Sequence, residues 1–141
     1  MNQENGPPSG FTAGPITGVS HVQLRVTDVT ASARWYAAIL GLEPFRTDPA
    51  VGYVALRHRA SGVVIVLTTD SSGSWHPDGG ALDHLAFAVS DGAALEMWAE
   101  HLKSAGIEHA GVVSEQGNPS LQLRDPDGTA VELVAPRPRP D

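Results

Sequence analysis

Two histidines and one glutamate are the side chains in this sequence whose types and positions best suit chemistry. His21 and His84 stand third in two similar segments, and Glu132 lies between apolar neighbours near the end of the chain. Two imidazoles and one carboxylate can hold a divalent metal and leave coordination positions open for substrate, water or oxygen. The chain has no cysteine, so only imidazole, carboxylate or water could ligate that metal. The residue types therefore predict a three-ligand metal site.

The segments around the two histidines are copies of one pattern. Residues 19–28 and 82–91 both read apolar, any residue, His, apolar, any, apolar, any, Val, Ser or Thr, Asp. The match continues into the following segments, where Trp35 corresponds to Trp98. Such self-similarity indicates an internal duplication. A chain of 141 residues provides material for a single domain, so the two copies must share one fold.

In each copy, apolar residues alternate with other residues up to the aspartate that ends the shared pattern. After this aspartate, apolar residues recur at the spacing of a helix. The spacing predicts helices over about 30–40 and 92–105, each followed by a glycine stop, with Asp28 and Asp91 as N-caps or turn formers. The inward stripe of the first helix is predicted at Ala31, Trp35, Ile39 and Leu40. The strands that follow are predicted at 43–47, 53–57 and 63–69 in the first copy and at 108–114, 120–124 and 129–134 in the second.

The predicted fold class is α+β, with two tandem βαβββ modules that form a curved mixed sheet or cup. The organisation is a flexible N-terminal extension over 1–15, module one over 16–70, a linker over 71–80, module two over 81–135 and a C-terminal tail over 136–141. The linker is rich in Ser, Gly, Asp and Pro, as connections between modules often are.

Strand alternation determines which side chains share a face. His21 lies on the same face as Gln23 and Arg25, whereas the apolar residues between them pack under a helix. Glu132 aligns with Val66 of the first copy, and a carboxylate in such an apolar strand is costly unless a partner meets it. The competing interpretation is that a histidine in a strand is an ordinary hydrogen-bonded core residue. If the two sheets face each other, the three predicted ligands can meet.

Further residues could line a substrate pocket. Gln23, Arg25 and Gln122 share faces with the predicted ligands, although Arg25 could equally be a solvated charge. Tyr53 could donate a proton or hydrogen bond to an oxygenated substrate, or be an ordinary amphipathic strand residue. His76 in the linker could belong to a lid; a simple exposed loop is the preferred interpretation.

Composition excludes several classes of protein. The chain carries 9 basic and 16 acidic residues, a net charge of -7, and no run of Lys or Arg, which argues against nucleic acid as a partner. It has no apolar run long enough to cross a bilayer and no secretory signal pattern at its start. The absence of cysteine fits a reducing cytoplasm, which is the expected location.

The combined pattern resembles the vicinal oxygen chelate superfamily, which includes glyoxalase I, extradiol ring-cleaving dioxygenases, fosfomycin-resistance transferases and bleomycin-binding proteins. The matching stretches are 21–28, 35–42, 84–89 and 125–132. The resemblance implies that His21 is the first-strand ligand, His84 its counterpart in module two, and Glu132 the last-strand carboxylate.

Departures from the family patterns narrow what the resemblance implies. Val66 stands where glyoxalase I carries a second glutamate, which argues against that activity. The loop 112–120 has no Lys or Arg for a phosphonate, and Gln122 replaces an expected Tyr, which weakens the fosfomycin branch. Bleomycin-type binders work without a catalytic metal, so a complete triad argues against that class.

The resemblance leads us to expect a divalent-metal-dependent enzyme in which Glu132 and Tyr53 act in catalysis on a small oxygenated substrate. An extradiol dioxygenase-like activity with Fe(II) is favoured, with Mn, Co, Ni or Zn as alternatives, and a homodimer is expected. Two other functions stay open: a protein that sequesters a small molecule or antibiotic, and a metal-dependent isomerase, epimerase or conjugating enzyme. Whether the ligands come from one chain or two is also open.

Overall fold

The computed structural model describes residues 17–69, 82–115 and 118–136, together with Ser9 and Ala13. The predicted N-terminal extension, the linker with His76 and all of the predicted C-terminal tail except Pro136 lie outside the described residues, apart from those two N-terminal positions.

The first module is one helix on a four-stranded mixed sheet. Its elements are β1 (Val22–Arg25), α1 (Val29–Leu40), β2 (Glu43–Asp48), β3 (Tyr53–Arg57) and β4 (Val64–Thr68), with a 3-10 turn at Pro49–Val51 before β3. The strand order is β1-β4-β3-β2. The β1 and β4 strands are parallel, and the other pairs are antiparallel.

The second module repeats this arrangement. Its elements are β5 (His84–Ala88), α2 (Gly92–Ser104), β6 (Val113–Glu115), β7 (Asn118–Arg124) and β8 (Ala130–Val134), in the order β5-β8-β7-β6. The parallel pair is again formed by the first and last strands. The predicted α+β fold of two βαβββ modules is confirmed.

One predicted strand is much shorter than expected. The run 108–114 was expected to be extended, but pairing begins only at Val113. Gly111 has a φ of 83°, a left-handed conformation that does not fit a strand. The Nδ1 atom of His109 accepts a hydrogen bond from the N–H of Gly111 at 3.0 Å, so a turn occupies this stretch.

Both helices begin at the predicted aspartates. A carboxylate oxygen of Asp28 accepts from the N–H of Ala31 at 3.0 Å, and Asp91 accepts from Ala94 at 2.8 Å. These bonds satisfy amide groups that have no partner within the helix. The inward stripe of α1 was predicted only partly correctly. Ile39 and Leu40 are buried, but Ala31 is exposed, Trp35 is half-buried, and the fully buried aromatic residue is Tyr36.

Each sheet has a helix-side face and a helix-distal face. The helix-side residues of both modules, such as Leu24, Leu67, Leu121 and Leu133, belong to one continuous core. The alternate residues, including Gln23 and Glu132, lie on the helix-distal faces, as the alternation predicts. The predicted site residues therefore lie on the side of each sheet that the helices do not cover.

Candidate functional site

The second sheet brings two of the predicted metal ligands together. His84 opens β5 and Glu132 lies in the adjacent strand β8. The Nε2 atom of His84 is 3.6 Å from Oε2 of Glu132. Donor atoms that bind one ion at about 2.1 Å lie roughly 3 to 3.5 Å apart, so this pair fits a shared divalent metal with little adjustment.

A second carboxylate orients the His84 ring. The Nδ1–H group of His84 donates to Oδ2 of Asp83 at 2.7 Å. The hydrogen bond to Asp83 and the charge of Glu132 raise the pKa of His84, against a smaller opposing effect of desolvation. With Nδ1 held by Asp83, the lone pair of the neutral ring lies on Nε2, on the Glu132 side. Metal-binding histidines are commonly oriented in this way.

The third predicted ligand lies on the other sheet. His21 immediately precedes β1, and its Nδ1 atom is 3.0 Å from the hydroxyl of Ser20. Within the described part of the chain, no three His, Asp or Glu side chains form a group that could hold a metal ion. The structure thus brings His84 and Glu132 together in one chain and does not bring His21 to them.

The strand register confirms how the two halves correspond. Glu132 lies between Ala86 of β5 and Gln122 of β7. Val66 occupies the same place in the first sheet, between Gln23 of β1 and Ala55 of β3. The replacement of a carboxylate by valine in module one is therefore a real difference between equivalent positions.

The predicted substrate-binding residues are divided between the two sheets. Gln122 is beside Glu132 and borders a cleft of about 450 Å³ that also includes Glu108 and Arg124. Gln23 and Arg25 lie on the first sheet, on the same face as His21. Tyr53 is in register with Thr68, which in turn is in register with Arg25, so these residues form one row of that face.

Comparison with known proteins assigns the chain to a family. The family model of the Glyoxalase/Bleomycin resistance protein/Dioxygenase superfamily matches residues 18–133. The chain belongs to this superfamily. The matched region spans both modules almost completely and includes His21, His84 and Glu132.

Relatives within the superfamily differ in their described activities. A probable lactoylglutathione lyase from Vibrio parahaemolyticus is 28% identical over 82% of this chain and 88% of its own length. A glyoxylase/bleomycin resistance protein/dioxygenase domain from Frankia sp. EAN1pec is 30% identical, covers 87% of this chain and 94% of its own, and has a TM-score of 0.73. A fosfomycin resistance protein from Listeria monocytogenes shares the fold at 22% identity, with a TM-score of 0.67 and coverage of 86% and 95%.

Sequence reasoning missed a hydrogen-bond network around the turn before β8. Asp125 and Asp127, predicted only as turn residues before β8, accept hydrogen bonds from α1 and from Thr27, which precedes the N-cap Asp28. The hydroxyl of Tyr36 donates to Asp125 at 2.9 Å, and the hydroxyl of Thr27 donates to Asp127 at 2.7 Å. These bonds fix the start of the strand that carries Glu132. Two features of the sequence could have indicated this network: a tyrosine within the first predicted helix and the Asp-Pro-Asp-Gly turn before the last strand.

Asp83 was missed as well, although its position directly before His84 was visible in the sequence. The equivalent position before His21 is Ser20, so the two halves also differ in how they orient their histidines.

None of the helices in the described ranges is long and apolar enough to span a membrane.

Proposed function

We propose that this protein is a divalent-metal-dependent enzyme that binds a small oxygenated substrate through two neighbouring oxygen atoms. The metal would be held by His84 and Glu132 of one chain and by His21 of a second chain in a homodimer. The observation that carries the proposal is the 3.6 Å approach of Nε2 of His84 to Oε2 of Glu132, with the imidazole ring already oriented by Asp83.

Two copies are invoked because each chain contains both halves of the site without joining them. A twofold arrangement that places the helix-distal face of one first sheet against that of a partner's second sheet would form two equal sites. Each site would combine the His21 half of one chain with the His84 half of the other. The monomer needs no internal rearrangement in this scheme.

A bound divalent metal supplies Lewis-acid stabilisation of charge that develops on substrate oxygens. The remaining work falls to side chains of the two faces. Gln122, which lies beside Glu132, is proposed to hydrogen-bond the substrate, and Gln23 and Arg25 are proposed to contact it from the first sheet. Tyr53, in the row of Arg25, is the proposed proton or hydrogen-bond donor, and Glu132 is proposed to act in catalysis as well as in metal binding.

The first reaction we propose is oxygen-dependent cleavage of a catecholic ring with Fe(II). A three-ligand set with open coordination positions supports it, because substrate and O₂ could both be accommodated. The second candidate is an oxygen-independent lyase or isomerase reaction, supported by relatives described as lactoylglutathione lyases. Val66 at the place of a fourth ligand makes this second candidate the weaker one.

The shared site is tested by mixing two variants. His21→Ala and His84→Ala are purified, loaded with Mn²⁺ separately and together after subunit exchange, and analysed for bound metal. Each variant alone should lose most of its metal, whereas the exchanged mixture should recover about a quarter of the wild-type content, because half of the dimers contain one intact site. No recovery would show that the ligands do not come from two chains, and wild-type metal content in a His21→Ala, His84→Ala double variant would reject the site itself.

The reaction is tested with the Fe(II)-loaded protein prepared without oxygen. Oxygen uptake with a panel of catechols supports ring cleavage, and turnover of a 2-oxoaldehyde–thiol adduct without oxygen uptake supports the second candidate. Stoichiometric binding of these compounds without turnover would contradict an enzyme and favour sequestration.

A further inference from the structure

The first sheet carries an arginine that has no ion pair within residues 17–69, 82–115 and 118–136 and that no part of the proposed metal chemistry uses. We propose that Arg57, stacked on Phe45, binds an anionic group of the substrate, so that the enzyme selects chelating compounds that also carry a carboxylate. The inference deepens the proposed function, because it places this recognition in the same cup as the metal.

The register places Arg57 on the face that carries His21. Arg57 is paired with Val64 of β4, and continuing the β1–β4 register by one residue places His21 beside Val64. His21 and Arg57 therefore lie in one row, two strands apart. Strands in a sheet are about 4.8 Å apart, so the two backbones are separated by roughly 10 Å.

The surroundings of Arg57 are unusual for a charged group. Its Nε atom is shielded from solvent and has no hydrogen-bond partner among the described residues. Buried polar atoms are nearly always hydrogen-bonded, so an orphaned donor on a guanidinium calls for a partner that the described part of the chain does not supply. A carboxylate is the ligand whose geometry best matches the guanidinium fork.

An aromatic ring supports this guanidinium. The Cζ atom of Arg57 lies 5.1 Å from the centroid of the Phe45 ring. The pairing of β2 with β3 shifts between Pro44 and Arg46, a bulge that leaves Phe45 as the extra residue. Bulges re-aim side chains, and this one places an aromatic platform under the cation. The platform orients Arg57 without neutralising its charge.

The strands of this face carry three arginines and two carboxylates, those of Glu43 and Asp48. In the described ranges, Arg25, Arg46 and Arg57 have no ion pair and no side-chain hydrogen bond, and the register assigns all three to the helix-distal face. The carboxylate in register with Arg57 is that of Glu43, which instead accepts from Nε of Arg59 at 2.9 Å. Glu43 is thus engaged elsewhere, and Asp48 lies in the row of Tyr53 at the opposite end of β3, so the charge of Arg57 can attract an anion.

The test uses two chelators that differ in one charge, 3,4-dihydroxyphenylacetate and 4-methylcatechol. Their affinities are measured by calorimetry at low ionic strength, with Mn²⁺-loaded and with metal-free protein. Wild type should bind the acid about tenfold more tightly than the neutral compound in both forms. Arg57→Met, which keeps the apolar stem, should reduce this preference to about twofold or less, with unchanged affinity for 4-methylcatechol. Arg57→Lys should retain an intermediate preference, because it keeps the charge and loses the fork.

Arg34→Met is the matched control. Arg34 is exposed on α1, away from the helix-distal face, and has the same charge, so its removal should leave the tenfold preference intact. Equal affinity of wild type for both compounds, or an unchanged preference in Arg57→Met, would overturn the proposal. If Mn²⁺ raises the affinity for neither compound, the proposed metal function is contradicted and the role of Arg57 is not. The role of Arg57 is measured separately, by the ratio of the affinity for the acid to the affinity for the neutral compound.

Discussion

At the scale of single residues, Tyr36 and Asp125 form a buried hydrogen bond. Both residues are almost inaccessible to solvent, with exposed fractions of 0% and 5%. The other carboxylate oxygen of Asp125 accepts from the N–H groups of Asp127 and Thr129. Burial, followed by the charge of Asp125, raises the pKa of the Tyr36 phenol far above its ordinary value of 10.0. The phenol therefore stays protonated and continues to donate.

Replacing Tyr36 with Phe should lower the free energy of unfolding by about 1–3 kcal/mol at pH 8, because a charged acceptor loses its donor. Since the folded-state pKa is raised, this group's contribution is complete below pH 10 and is lost as pH rises further, when the unfolded phenol ionises. Urea unfolding from pH 8 to 11 should show the difference between wild type and Tyr36→Phe shrinking above pH 10.

Tyr53→Phe is the control for this experiment. The Tyr53 hydroxyl has no side-chain hydrogen bond in the described part of the chain, so its removal should change the free energy of unfolding by less than about 0.5 kcal/mol. A difference between wild type and Tyr36→Phe that stays constant up to pH 11 would contradict the proposed role of the buried phenol.

At the scale of elements, the entry into β3 depends on a glycine. Gly52 has a φ of 64°, and its carbonyl accepts from the N–H of Thr69 at 3.0 Å. A Cβ atom at this position would collide with the hydroxyl of Thr69. A side chain at residue 52 would therefore require the Thr69 side chain to move.

We expect Gly52→Ala to be destabilising by about 2–3 kcal/mol, from a left-handed backbone cost of about 1–2 kcal/mol plus the collision with Thr69. Gly62→Ala is the matched control, because Gly62 has a φ of 77° but open space around its Cα. Thermal unfolding of both variants measures the difference. Adding Thr69→Ala should recover the excess cost of Gly52→Ala, and no recovery would show that the collision is not its cause.

The elements themselves were largely predictable from the sequence. The caps at Asp28 and Asp91 and the strand 53–57 follow from local chemistry, namely side-chain oxygens that accept helix N–H groups and apolar alternation. The shortened β6 was not predictable, because the left-handed φ of Gly111 is a backbone choice that neighbouring residues do not dictate. The predicted buried face of α1 differs from the observed one by one residue at its aromatic position. The reason is that the helix also contacts the second module through Tyr36.

At the scale of the whole molecule, the two modules are joined by a few polar contacts around a common core. Asp127 accepts hydrogen bonds from the N–H and hydroxyl of Thr27, and from the hydroxyl of Ser32 at 3.4 Å. On the other helix, Nε2 of His101 is 2.9 Å from the carbonyl oxygen of Ile39. The bonds of Asp127 join the turn before β8 to the start of α1, and the contact of His101 joins α2 to the end of α1.

Replacing Asp127 with Ala should lower the free energy of unfolding by about 1–3 kcal/mol, because donors of the other module lose their acceptor. Asp48→Ala is the control, since Asp48 accepts only a local bond from the N–H of Ala50, and its loss should cost about 1 kcal/mol or less. Chemical denaturation followed by tryptophan fluorescence measures both variants. An equal effect of the two replacements would contradict a joining role for Asp127.

The sequence by itself determined the duplication, the α+β fold of two βαβββ modules, and which side chains lie on the helix-distal faces, because period and repeat are local properties of the chain. Only the tertiary structure decided three further points: that Tyr36 meets Asp125, that Arg57 stacks on Phe45, and that His84 meets Glu132 in a single chain while His21 lies on the other sheet. Each depends on helix phase, strand register or the packing of distant segments. Sequences with the same hydrophobic pattern can differ in these features, so the pattern alone does not determine them.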